Sequence, residues 1–190
     1  MRKLLVLAGC MSALSAAVAE PLTEKQMLEY HMVAPMMDSL FKEFVKETPE
    51  TKKALQKAAF NFSDHATKLK LLRDVDYGDS YIAEAERPMR QVTGFENADD
   101  WAKVGDRVSC LRMGIFAVSM SASMSGELSK DDLENFPHYF ADKSKPADQR
   151  EKYTQMLTDF VKERGCTDVE DVSLYVNNMQ RWDEVTQAQQ

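Results

Sequence analysis

Ser109 to Gly126 reads SCLRMGIFAVSMSASMSG, eighteen residues with one charge, Arg112, in a chain that is 29% charged. A stretch this apolar has to leave water, either in a bilayer or in a folded core. On a helical wheel of about 100° per residue, Trp101, Val104, Val108, Leu111, Ile115, Val118 and Ala122 share one side. Met113, Phe116, Met120 and Met124 share roughly the opposite side, and small residues such as Gly114, Ala117 and Ser121 lie between. A helix apolar on two opposed faces is enclosed by neighbours. Small flanks let those neighbours come close. The pattern predicts a central buried helix over 101–125. A bilayer span needs about 20 predominantly apolar residues. Here Arg107 and Arg112 interrupt, five serines dilute the run and Glu127 ends it, so no membrane span is expected.

The first nineteen residues have a different character. Arg2 and Lys3 precede an uncharged, mostly apolar run from Leu4 to Ala17, and Ala17-Val18-Ala19 is a small-x-small site before Glu20. That is the layout of a secretory signal peptide cut between Ala19 and Glu20. Leu7-Ala8-Gly9-Cys10 also matches the motif that places lipid on a bacterial lipoprotein cysteine. Six residues between Lys3 and Cys10 are short against an apolar region of roughly 7–15. The sequence thus divides into a signal peptide, 1–19, and one domain, 20–190. The expected location is periplasmic or secreted; an outer-membrane lipoprotein is the alternative.

Removing residues 1–19, with two basic side chains and no acidic ones, takes the net charge from −7 to −9. Nucleic acid and anionic membrane select for clustered Lys and Arg, so neither is an expected partner. A protein partner steered by charge would be basic. The remaining cysteines, Cys110 and Cys166, form an even pair in an oxidising compartment, which predicts a disulfide. A loop of about 57 residues closed this way is stabilised by ~4 kcal/mol in the chain-entropy model.

Downstream of residue 20 every periodic run is helical and none alternates as a strand does. Thr23-Glu24-Lys25-Gln26 is a capping box ahead of a stripe through Met27, Val33, Met37 and Phe41, with Pro35 expected to kink or split the helix. Thr48-Pro49-Glu50 marks a second start, leading a stripe from Leu55 to Leu69. Tyr77-Gly78 is a turn before Ile82, Ala85 and Met89, and Gly94 is expected to close that helix. Ser129 starts a short helix that Pro137 should stop, with a loop from His138 to Lys145. Pro146 opens the next helix and Gly165 ends it; Thr167 to Glu170 is a further capping box before a last helix through Trp182. The expected fold is an all-α, single-domain bundle of about six or seven helices around 101–125.

The chemistry-bearing motifs are few. The chain has three histidines and no Cys-x-x-Cys, nucleophile elbow, phosphate loop or dinucleotide fingerprint. Asp74 to Asp79 misses the required residues of a calcium loop at positions five, six and twelve. Asn61-Phe62-Ser63 matches a glycosylation acceptor but falls inside a helical stripe. No cofactor is expected. An arginine within an apolar helix needs an acceptor, so Arg112 is read as a buried ion pair with another helix or, failing that, as the first anion hook of a ligand site, with Arg107 beside it. His31, Met36, Met120 and Met124 offer imidazole and thioether ligands for copper, although their spacing also fits core stripes. The sequence thus points to an exported binding or accessory protein recognising another protein or a small ligand. A copper-binding protein and an enzyme with a spatially assembled site are the alternatives.

Overall fold

The computed structural model describes residues 20–47, 65–74 and 76–189, with the side chains of 44–47 excepted. The expected signal peptide with Cys10 and Ala19, the second helix start at Thr48 and the Asn61 motif lie outside the described residues.

All described elements are helices: α1 (Glu24–Glu47), α2 (His65–Arg73), α3 (Gly78–Val92), α4 (Ala98–Ser125), α5 (Lys130–Glu134), α6 (Phe136–Tyr139), α7 (Ala147–Arg164), α8 (Glu170–Asn177) and α9 (Met179–Gln187). Helix α4 is the axis and packs against α1, α2, α3, α6, α7 and α8. The all-α bundle around a central helix is as the periodicity predicts. By length and composition α4 could cross a membrane; its first half is enclosed by neighbouring helices.

The enclosure of α4 changes along its length. From Ala98 to Leu111 buried residues point in nearly every direction, with Trp101, Ala102, Val104, Gly105, Val108, Ser109 and Cys110 all inside. Beyond Arg112 only the predicted inner stripe of Ile115, Val118 and Ala122, with Gly114, stays buried. The opposite stripe comes to the surface: Phe116 is 57% exposed, Met120 48% and Met124 81%. This corrects the reading of two enclosed faces. Helices surround the first half of α4, whereas α7 and the α6–α8 side flank only part of the second.

Local signals set most boundaries. Gln26 N–H donates to Thr23 Oγ1 at 3.2 Å and Thr23 N–H to Gln26 Oε1 at 2.9 Å, completing the first capping box. Asn97 caps α4 through Asp100 N–H, and Gly126 ends it with φ +68°. Gly165 ends α7 with φ +59°. Four expectations fail. Pro35 does not split helix α1. Extended Thr93, not Gly94, closes α3, with its N–H and Oγ1 on Met89 O. Pro137 sits in the first turn of α6 rather than stopping a helix, so His138 and Tyr139 are helical and Tyr139 and Phe140 pack inside with Phe136 and Tyr153. The Thr167 capping box does not form, because its hydroxyl is bonded to Asp171.

Cys110 and Cys166 are joined, Cα to Cα 6.0 Å, as the even count predicts. One turn before Cys110, Arg107 forms a buried clasp. Its Nη2 and Nε donate to Asp171 Oδ2 at 2.6 and 3.1 Å, its Nε reaches Thr167 Oγ1 at 3.0 Å, and its Nη1 donates to Glu20 O at 2.8 Å. Leu22 N–H donates to the other oxygen of Asp171 at 2.6 Å. Glu20, expected to begin the mature chain, is thereby tied to the core.

Gly105 lets α4 approach α1 and α2. A Cβ there would lie 2.9 Å from both the His65 and Tyr30 rings. Both rings are hydrogen-bonded and cannot easily yield. Gly105→Val should lower unfolding free energy by about 1–3 kcal/mol in urea titrations, as overpacking does; unchanged stability would show that this contact is loose.

Candidate functional site

Arg112 stands where α4 passes from enclosed to exposed. It is itself exposed and borders two cavities. The first, about 350 Å³, has Ile115, Leu133, Phe136, Pro137 and Met179 among its walls, with Tyr175 and Asp183 as further polar groups. The second, about 450 Å³, is more polar and takes Asp38, Ser39 and Lys42 from α1 and Gln189 from the end of the chain.

The expected ion pair of Arg112 is absent among the described residues. Its Nε donates to the Tyr175 hydroxyl at 3.1 Å, and neither Nη group meets a carboxylate. The sequence assigned the ion pair to the wrong arginine. Arg107, five residues earlier, has the buried carboxylate, and its donors are committed to Asp171, Thr167 and Glu20. Arg107 is a structural residue, and the Nη donors of Arg112 have no partner among the described residues.

Tyr175 is 1% exposed. Its oxygen accepts from Arg112 Nε, but its own proton has no acceptor among the described residues. Burial pushes the Tyr175 phenol up more strongly than the neighbouring Arg112 guanidinium pulls it down. The phenol therefore stays a donor at neutral pH.

His31 lies behind Tyr175 in an aromatic stack, 3° from parallel to Trp182 with ring centroids 5.5 Å apart. Thr186 Oγ1 donates to Trp182 O, so it accepts from His31 Nδ1 at 3.2 Å and fixes the Nδ1–H tautomer. Nε2 is then a buried acceptor with no partner among the described residues. Burial, and after it the charge of Arg112, lowers the His31 pKa to about 3. The copper ligands do not assemble. Met36 borders the second cavity, His31 is 1% exposed inside the core, and Met120 and Met124 stand on the outer face of α4. Among the described residues no three His, Cys, Asp or Glu side chains converge as a metal site.

One constellation was invisible in the sequence. Tyr30 Oη lies 3.2 Å from His65 Nε2, and His65 Nδ1 lies 3.1 Å from Asp106 Oδ1. The carboxylate can only accept, so it holds the proton on Nδ1, and Nε2 accepts from Tyr30. Asp106 also takes the N–H of His65 at 2.5 Å. The order carboxylate, imidazole, hydroxyl is that of a nucleophilic relay. Here burial holds the Tyr30 phenol well above its usual range, so the chain retains its proton rather than releasing an oxyanion. It braces α1, α2 and α4 where Gly105 brings them together. Separations of 35 and 41 residues on three helices left no local signal.

No family model matches the chain, and neither a curated protein nor a solved structure is significantly similar to it.

The depressed His31 pKa makes stability depend on pH. A histidine whose folded pKa lies below its unfolded value binds protons more readily when unfolded. The stability it contributes is complete above about pH 6.5 and lost as pH falls toward 3. Relative to His31→Phe, the wild-type protein should lose up to about 1.4 kcal/mol per pH unit below 6.5 in urea unfolding. Parallel pH profiles for the two proteins would show that His31 titrates normally.

Proposed function

We propose that this chain is an exported binding protein that takes a small organic ligand at the cavities meeting on Arg112. One observation carries the reading: an arginine whose two Nη groups have no partner among the described residues forms the wall common to an apolar and a polar cavity. A few convergent polar groups in an apolar recess characterise ligand sites. Export rests on the pattern of residues 1–19 and agrees with the Cys110–Cys166 bond. The rival reading is a basic protein partner on the outer face of α4. In its favour, Met120 and Met124 offer adaptable exposed apolar contacts, and Asp159 and Glu163 line a recess beside Ala117 of the same helix.

Arg112→Gln separates the two, because it alters the cavities and leaves the outer face intact. The variant should unfold within about 1 kcal/mol of the wild type, since no ion pair is broken. Native mass spectrometry of protein from its own host should find a retained small molecule on the wild type and none on the variant. The same adduct on both, or a bare wild-type chain, would remove Arg112 from the function.

A further inference from the structure

The groups around Arg112 specify more than a recess; they set the chemistry of what fits it. Among the described residues the two Nη groups of Arg112 and the Tyr175 proton are donors without acceptors, and they belong to two side chains joined by a hydrogen bond. A planar guanidinium fork with a third donor beside it matches the two oxygens of a carboxylate. Acceptors facing the same space are fewer. Asp183 has His138 Nε2 at 3.0 Å, so an amine would compete with an existing partner.

Charge gives the same answer. Asp38 and Lys42 stand one turn apart on α1 at the second cavity, where the Asp38 carboxylate already acts on Arg112. Among the described residues Arg112 is the one cation on the wall of the first cavity, and its Nη donors there call for a negatively charged group on the ligand. The first cavity then sets the rest of the molecule. Its floor of Ile115, Leu133, Phe136 and Met179 offers hydrocarbon, and about 350 Å³ is at the small end of ligand cavities.

We infer that the ligand is a monocarboxylate with an apolar body, its carboxylate held by Arg112 Nη and the Tyr175 hydroxyl and its body in the cavity of Ile115, Leu133, Phe136 and Met179. The inference rests on the reading of these cavities as a ligand site. An inorganic phosphate would satisfy the donors but leave the apolar floor uncovered. An alcohol would cover the floor but leave the fork without a charged acceptor.

The test is calorimetric titration of the disulfide-bonded protein with octanoate, 1-octanol, octylamine and inorganic phosphate, each kept below any micelle-forming concentration. Octanoate should bind one to one. Octanol should bind about tenfold to a hundredfold more weakly, the loss of charge-assisted hydrogen bonds. Octylamine and phosphate should give no saturable heat. Tyr175→Phe, with its melting temperature checked against the wild type, should weaken octanoate about tenfold and leave octanol unchanged. Arg112→Lys should weaken octanoate as well, because it keeps the charge and loses the fork. Octanol binding as tightly as octanoate would overturn the carboxylate while leaving a ligand cavity. Phosphate binding as tightly as octanoate would overturn the apolar body. Silence from all four probes would overturn both the inference and the site on which it rests.

Discussion

Asp171 carries a charge with no exposure to water, and that requirement organises the molecule. A buried carboxylate is tolerated only when it is paired and its lone pairs are filled. Arg107 supplies the charge, Thr167 a hydroxyl and Leu22 a backbone N–H. The clasp therefore joins the start of the described chain, the central helix and the helix that follows the second cysteine. The Cys110–Cys166 bond clamps the same two regions, one turn further along α4. A covalent and an ionic link at neighbouring positions fix the register of α4 against α8. Four residues after Asp171 comes Tyr175, and five after Arg107 comes Arg112. Their hydrogen bond at the cavity wall follows from the register that the clasp sets.

Much of this architecture could be read from the chain. The inner stripe from Trp101 to Ala122, the 101–125 extent of the central helix and the cysteine pair depend on spacing and count, which are local properties. What could not be read depends on placement. Arg107 and Arg112 look alike in sequence, and only the position of Asp171 decides which is bound. Likewise, Tyr30, His65 and Asp106 meet because Gly105 permits a close approach, and no short-range pattern records that. The Met120 and Met124 face was misread because apolarity signals a wish for cover, not the presence of a neighbour. Thr167 shows the same limit in miniature: a sound capping box yields when a buried carboxylate offers a stronger bond.

The two halves of α4 thus have different tasks. The first is a sealed axis, closed by small residues and aromatic rings such as Trp101, which stacks on Tyr30 at 5.8 Å. The second leaves one side to solvent and gives its flank to a cavity. Arg112 sits at the change. Enclosure on one side raises the electrostatic worth of its guanidinium, and openness on the other admits a ligand. Neutral His31 and protonated Tyr175 behind it keep the surroundings from adding further charge.

The register of α4 against α8 depends on whether Arg107 and Asp171 are coupled as a buried pair. A double-mutant cycle with Arg107→Gln and Asp171→Asn, read by urea unfolding, measures that coupling directly. The structure predicts that each single change costs about 3–5 kcal/mol and that the pair together costs far less than the sum. Additive losses, with a coupling energy near zero, would mean that Asp171 does not need Arg107 and that the register of α4 against α8 is set by something else.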